Sequence, residues 1–289
     1  MRVELLVDKQ NVLGEGPLWD VEEQRLYWID SLGREVFRAR EDGSHFERRP
    51  VPGDIGSLAV RKSGGLVLSL SDGFYFFDFD TGKSEKILDP EPDLPQTRIN
   101  DGKVDKRGRF IAGTMERTEK QAIAGLYRLD PDLSCHKLEG DIMVSNGPCW
   151  SPDGKTFYFT DSWSGYIAAY DYDLDTGHIS NKRKFASTKE RPGAPDGSTV
   201  DSEGYLWNAQ CYGGYVVRYS PDGKVDRILE FPIRKVTSVM FGGKKLDVLY
   251  VTTMGKAGEQ FAPTQLKGGG LFAIYDLGIT GVPETRFAG

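Results

Sequence analysis

Cysteine and histidine are scarce in this sequence, with three of each among 289 residues. The cysteines are widely separated and form no C-x-x-C motif, so we expect neither a disulfide framework nor a zinc site built on thiolates. The histidines fall in outer turns of the repeating pattern described below. A Ser-His-Asp or Cys-His arrangement would therefore lack its base. Reduced cysteines are typical of a cytoplasmic protein.

Long hydrophobic runs and an excess of basic charge are also missing. Lys and Arg number 37 against 43 Asp and Glu, a net charge of −6, which excludes a basic footprint for nucleic acid. No segment approaches the roughly 20 apolar residues that span a bilayer. The first ten residues carry four charges and do not resemble a signal peptide. We expect a cytoplasmic monomer or dimer whose partner is a small molecule, not nucleic acid or a membrane.

The chain consists of short runs rich in Val, Ile, Tyr, Phe and Trp, separated by Gly, Asp, Pro and Asn. A polar turn followed by such a run recurs six times, at steps of 40 to 49 residues that each fit four short strands. Units of this size cannot bury an apolar face alone, which predicts an all-β six-bladed β-propeller as a single domain over residues 1–289. A β-sandwich or a β-helix is the alternative, and Arg2–Val7 is expected to complete the last blade. The first apolar residues after the six turns are Leu26, Leu66, Phe110, Phe157, Leu206 and Leu249.

The six units share a register that brings polar loops together. Counting back ten or eleven residues from the apolar markers reaches loops that should lie at one mouth of the central channel, and four of them carry Glu15, Asn100, Asn146 and Asp196. Carboxylate and amide oxygens suit a divalent cation: Ca²⁺, Mg²⁺ or Mn²⁺, with Zn²⁺ and Fe(II) as further candidates. For any single loop, ordinary turn chemistry is the alternative, because Asn and Asp bond their own backbone.

The same loops carry motifs that resemble one known family. They are spread over most of the chain, from about residue 13 to residue 274, and they occur in the family's order. The segments are Leu13–Asp20 (LGEGPLWD), Arg98–Asp105 (RINDGKVD), Ala112–Met115 (AGTM), Ser145–Pro148 (SNGP), Pro195–Gly197 (PDG) and Phe241–Gly243 (FGG). On these motifs the sequence resembles the gluconolactonase and regucalcin (senescence marker protein) family.

The resemblance implies a six-bladed propeller with one divalent metal ion in its channel. Glu15, Asn146 and Asp196 match the three protein ligands of the metal. Asp196 also matches the proposed general base of the family.

The resemblance also implies a substrate. Arg98 and Asn100 match residues that contact a sugar lactone, and Glu116 stands where the family often has another sugar-binding acid. The implied reaction is metal-dependent hydrolysis of an aldonolactone to the aldonic acid in carbohydrate catabolism.

Two alternatives stay open on the same ligand set. One is a promiscuous aryl esterase or organophosphate hydrolase, and the other is a non-catalytic metal-binding propeller. The polar groups of Arg98, Asn100 and Glu116 favour a sugar over an aryl ester. Most tryptophans are expected to pack between blades. The segment 255–270 has no strand pattern and is predicted either as a lid or rim over the site or as a plain surface loop.

Overall fold

A computed structural model describes residues 1–289 and contains 24 β-strands and no helix. The strands form six four-stranded antiparallel sheets, which confirms the predicted six-bladed propeller. No helix in the chain is long and apolar enough to cross a membrane. Strand β1 covers Arg2–Val7, and the first blade comprises β2 (Gly14–Asp20), β3 (Arg25–Asp30), β4 (Glu35–Ala39) and β5 (Glu47–Pro50). The second blade comprises β6 (Ile55–Val60), β7 (Leu66–Leu70), β8 (Gly73–Phe77) and β9 (Ser84–Leu88).

The remaining blades follow the same plan from the inner strand outwards. Blade three comprises β10 (Thr97–Val104), β11 (Phe110–Glu116), β12 (Ala124–Leu129) and β13 (Cys135–Ile142). Blade four comprises β14 (Ser145–Trp150), β15 (Thr156–Asp161), β16 (Tyr166–Tyr172) and β17 (Ile179–Ser187). Blade five comprises β18 (Ala194–Val200), β19 (Leu206–Cys211), β20 (Tyr215–Tyr219) and β21 (Val225–Glu230). Blade six comprises β22 (Val236–Gly242), β23 (Val248–Thr253) and β24 (Leu271–Tyr275), with β1 at its outer edge.

Strand β1 closes the ring, as the sequence predicts. It pairs antiparallel with β24, with Arg2 opposite Tyr275 and Leu5 opposite Phe272. The last blade therefore contains strands from both ends of the chain. This pairing fastens the start of the chain to the last blade and satisfies the backbone of the outer edge of β24.

Apolar side chains fill the layers between adjacent blades. Trp207 of blade five, for example, meets Phe241 of blade six edge to face, with ring centroids 5.5 Å apart. Four of the five tryptophans are at most 9% exposed, in keeping with the expected packing. Trp163 differs, because it is 41% exposed. It lies in the turn after β15, outside the packed layers.

Each inner strand contains a register shift near its N-terminal end. In the four strands that carry predicted site residues, the shift lies between Glu15 and Leu18, Ile99 and Gly102, Asn146 and Cys149, and Pro195 and Ser198. Such bulges lift residues out of the ladder and redirect their side chains. Gly16 and Gly147 supply the left-handed backbone at two of them, with φ of 54° and 61°.

The C-terminal tail, residues 277–289, crosses the opposite end of the channel. It touches the ends of the inner strands of several blades: Arg286 pairs with Asp20, and the Phe287 N–H donates to the carbonyl of Val60 at 2.8 Å. Phe287 is fully buried in the largest apolar cluster. The tail thus closes one end of the channel and leaves the other end for a site.

Candidate active site

One cavity opens at the N-terminal ends of the inner strands. Five of the six side chains predicted for the site line it: Glu15, Arg98, Asn100, Asn146 and Asp196. They come from four blades, so the convergence expected from the shared register is present in the structure. Asn100 and Asp196 lie within the β-bulges, whereas Glu15, Arg98 and Asn146 are the last paired residues or lie just before them.

Two carboxylates of the cavity, Glu15 and Asp196, are desolvated and have no ion-pair partner. Desolvation in the cavity raises the pKa of Glu15 to about 8, with the charge of Asp101 adding to the effect and Arg98 opposing it. Burial also raises the pKa of Asp196 well above its ordinary range, and the charge of Glu15 raises it further. Carboxylates that destabilise one another in this way are relieved when a cation binds between them.

An amide network orients Asn146. Its Nδ2 donates to Ser162 Oγ at 2.9 Å, and Ser162 Oγ in turn donates to the carbonyl of Pro195 at 2.8 Å. Asn100 Nδ2 donates to Asn146 Oδ1 at 3.1 Å and to the carbonyl of Ser145 at 2.9 Å. The Asn146 amide nitrogen is therefore engaged, and its carbonyl oxygen keeps one lone pair for a ligand.

Asp101 is a third carboxylate near the site, and the sequence did not predict its role. Its Oδ1 accepts from the Gly102 N–H at 2.8 Å, and its Oδ2 accepts from the Gly147 N–H at 2.9 Å. It therefore ties blade three to blade four beside Asn146. Burial raises the pKa of Asp101, and the nearby charge of Lys103 opposes that rise.

The structure does not bring Glu116 to the cavity. Its carboxylate accepts hydrogen bonds from Thr118 Oγ1 at 2.7 Å and from the Lys120 N–H at 2.9 Å, and these bonds lower its pKa. Glu116 therefore stabilises the turn after β11. Glu119 lines the cavity instead, where it accepts from Trp163 Nε1 at 2.9 Å. The left-handed backbone of Glu119, with φ of 57°, shapes this turn, and the spacing of acidic residues does not reveal it.

Arg98 is buried and forms no ion pair. The salt bridges to Asp101 or Glu116 that would make it purely structural are not present. Its one hydrogen bond within the protein runs from Nη1 to the carbonyl of Ile99 at 3.1 Å. Burial lowers the pKa of Arg98, and the charge of Asp54 opposes this effect. The guanidinium keeps donors that can bind hydroxyl or carbonyl oxygens.

The donor set of the cavity fits a divalent cation. No group of three or more His, Cys, Asp and Glu side chains is arranged to hold a metal by itself. A cation here would be held by the carboxylates of Glu15 and Asp196 together with the amide oxygen of Asn146. These are hard oxygen ligands, which suit Ca²⁺, Mg²⁺ and Mn²⁺ most directly.

Comparison with known proteins settles the family. Residues 13–255 match the family described as SMP-30/Gluconolactonase/LRE-like region. The chain belongs to this family. The resemblance seen in the loop motifs is confirmed, because the match includes the loops that carry Glu15, Asn146 and Asp196.

Family members resemble the chain over its whole length. Regucalcin of Xenopus laevis is 37% identical over 296 aligned residues, covering 100% of this chain and 99% of that protein. The crystal structure of regucalcin from Agrobacterium tumefaciens, described as a calcium-binding protein, superposes with a TM-score of 0.90 at 28% identity, covering 98% of this chain and 96% of that one. A gluconolactonase from Xanthomonas campestris shares the fold, with a TM-score of 0.77 at 24% identity, covering 94% of this chain and 88% of that one.

Proposed function

We propose that this protein hydrolyses a sugar lactone to the corresponding aldonic acid, with one divalent metal ion as cofactor, in carbohydrate catabolism. The observation that carries the proposal is the convergence of Glu15, Asn146 and Asp196 with Arg98 and Asn100 in one cavity. Membership of the gluconolactonase family supports the same chemistry. A protein that only bound a metal ion would not need a guanidinium with unused hydrogen-bond donors beside its metal ligands.

Glu15, Asn146 and Asp196 would hold the metal. A bound divalent cation supplies Lewis-acid polarisation of an acyl oxygen and lowers the pKa of water. Calcium is the first ion to test, since one structural relative is described as a calcium-binding protein. The same ligand types accept Mg²⁺, Mn²⁺, Zn²⁺ and Fe(II), so all five belong in the assay.

Asp196 is the proposed general base. In its ionised form the carboxylate takes a proton from the water that attacks the lactone carbonyl carbon, and it returns that proton to the ring oxygen as the ring opens. Arg98 and Asn100 bind the hydroxyl groups of the sugar and hold the carbonyl carbon in line with the water. Glu119, which lines the cavity where Glu116 was expected, accepts a hydrogen bond from a sugar hydroxyl in place of Glu116.

The proposal is tested by metal replacement. Protein stripped with a chelator is given each divalent metal in turn, and acid release is followed with a panel of aldonolactones. A no-enzyme blank is essential because lactones hydrolyse unaided. The proposal predicts that one metal restores the opening of at least one lactone well above the blank. Tight metal binding without turnover of any lactone would contradict it and favour the non-catalytic metal-binding alternative.

A further inference from the structure

Three aromatic side chains meet at the mouth of the cavity. Trp163 follows β15, Tyr212 follows β19, and Phe261 lies in the segment 255–270. The ring centroid of Phe261 is 5.6 Å from that of Trp163 and 5.0 Å from that of Tyr212. We call these three residues the aromatic rim. They come from three different blades, so no single strand pattern accounts for their meeting.

Two rings of the aromatic rim are strongly exposed. Trp163 is 41% exposed and Phe261 is 48% exposed, although large rings gain most from burial. Phe46 is also exposed, at 38%, but it packs on Phe37 and Trp28 on the far side of blade one. Exposed apolar groups concentrated at the mouth of a cavity are typical of a binding surface.

The aromatic rim is continuous with the cavity. Trp163 and Tyr212 line the cavity themselves, together with the polar groups of the proposed site. A substrate held by those polar groups would therefore have aromatic rings within reach. The other apolar residues that line the cavity are Leu13, Met115, Val144, Ala194, Pro195, Cys211 and Met254.

The segment that carries Phe261 is fastened at its start. The fully buried Lys235 donates from Nζ to the carbonyls of Gly255 and Ala257, at 2.5 Å and 2.8 Å. A Cβ added at Gly258 would lie 2.8 Å from Tyr212 Oη, so the backbone of the segment passes directly against the aromatic rim. The segment therefore lies at the mouth of the cavity, as a lid or rim would, and is not a surface loop remote from the site.

A hydrogen bond fixes one ring of the aromatic rim. Trp163 Nε1 donates to Glu119 Oε2 at 2.9 Å, which holds the indole ring in place. An apolar group on the substrate would bury its surface against the rings.

We propose that the aromatic rim selects lactones that carry an apolar substituent at the end remote from the carbonyl. This inference rests on the proposed lactonase function and defines its substrate class. With the carbonyl at Asp196 and the ring hydroxyls at Arg98 and Asn100, the remote end of a six-carbon lactone points to the mouth. An aromatic or alkyl group there contacts the rings of Trp163 and Phe261.

The test compares kcat/KM for glucono-1,5-lactone, its 6-O-benzyl derivative and its 6-phosphate on the metal-loaded protein. The benzyl derivative is expected to exceed the parent lactone by about tenfold, and the phosphate, which offers the rings no apolar surface, is expected to show no such gain. Phe261→Ala and Trp163→Ala should each lower the benzyl-to-parent ratio by roughly 5- to 10-fold. Trp163→Phe, which keeps a ring without its N–H, should retain most of the ratio.

Leu266→Ala is the matched control, because Leu266 is 87% exposed in the same segment and does not line the cavity. It should leave both kcat/KM values unchanged. If the wild-type protein hydrolyses the parent lactone at least as well as the benzyl derivative, the proposed substrate selection is wrong. The lactonase proposal is unaffected by that result. A ratio unmoved by Phe261→Ala and Trp163→Ala overturns the role of the rim. Failure to hydrolyse any of these three lactones while another lactone of the panel is opened overturns this inference alone. Failure across the whole panel with every metal overturns the lactonase proposal and this inference with it.

Discussion

At the N-terminal ends of the inner strands, Glu15 and Asp196 share a cavity without an ion pair. At the C-terminal ends, the tail brings Arg286 onto Asp20, where Nε donates to Oδ1 at 2.7 Å and Nη2 donates to Oδ2 at 2.5 Å. The tail also brings Glu284 to Lys103, with Oε1 3.5 Å from Nζ. The inner strands therefore carry paired charges at their C-terminal ends, which we call the compensated end. They carry unpaired carboxylates at their N-terminal ends, which we call the uncompensated end. Compensated pairs hold a fold together, whereas uncompensated buried carboxylates cost stability and are typical of sites that bind a cation.

The largest effect is expected at the uncompensated end. Asp196→Asn keeps the shape of the side chain and removes its ability to accept a proton. Turnover of the best aldonolactone should fall by at least ~100-fold, as is usual when a general base is removed. The assay is kcat at saturating metal, with circular dichroism as the control for folding. Near-wild-type turnover with metal still bound would refute the role of Asp196 as base.

The compensated end should respond in stability and not in metal binding. Arg286→Met removes the two hydrogen bonds to Asp20, which is 5% exposed and would be left without its cation. We expect a loss of about 2 kcal/mol in the free energy of unfolding and a fall of roughly 5 °C in Tm. Denaturation with and without metal measures this. A lower metal affinity at unchanged stability would show that the two ends of the channel are not separate in function.

A smaller effect is expected from the residue that supports the metal ligands. Both oxygens of Asp101 accept backbone N–H groups, from Gly102 and Gly147, and Asn offers only one acceptor oxygen. Asp101→Asn should displace the Gly147 turn beside Asn146 and weaken metal binding by about tenfold. Calorimetric titration gives the affinity, and Asp222→Asn, at an exposed turn, serves as the control. Equal affinities in the two variants would make Asp101 a purely structural residue.

A pH dependence is also expected of the metal-free protein. The pKa of Glu15 is raised to about 8 from an ordinary 4.5, so the folded state holds this proton more tightly than the unfolded chain does. The stability that this proton contributes is fully present below about pH 4.5 and is lost as the pH rises through about 8. The Tm of chelator-treated protein should therefore fall between about pH 5 and pH 8.

Metal-loaded protein should not follow this trend, because the cation binds the ionised carboxylates. Glu15→Gln, which cannot ionise, should make the profile of the metal-free protein less steep, and the raised pKa of Asp196 accounts for the slope that remains. A Tm of the metal-free wild type that rises over the same pH range would contradict the assignment of the shift to Glu15.

Local and repeated features could be predicted from the sequence. Each blade is a run of consecutive hairpins, so its turns and strands recur at a fixed spacing, and the six-bladed fold follows from that recurrence. The positions of Glu15, Asn146 and Asp196 could be predicted for the same reason. Equivalent positions of a radial repeat point to a common axis, and the resemblance to a known family named the same residues.

What could not be predicted depends on irregular backbone. Whether Glu116 or Glu119 reaches the cavity is decided by one turn in which Glu119 has a left-handed φ. The aromatic rim arises from loops of different blades, and no repeat relates them. The role of Asp101 could not be predicted, because it depends on a hydrogen bond from the Gly147 N–H of the next blade.

The most direct test of the account is a crystal structure of the protein grown with Mn²⁺ or Ca²⁺, with anomalous diffraction recorded for the metal. The account predicts one strong peak in the cavity, bound by oxygens of Glu15, Asn146 and Asp196 at about 2.1–2.6 Å. A strong peak elsewhere, or no peak at saturating metal, would contradict the claim that this end of the channel is built for a divalent cation.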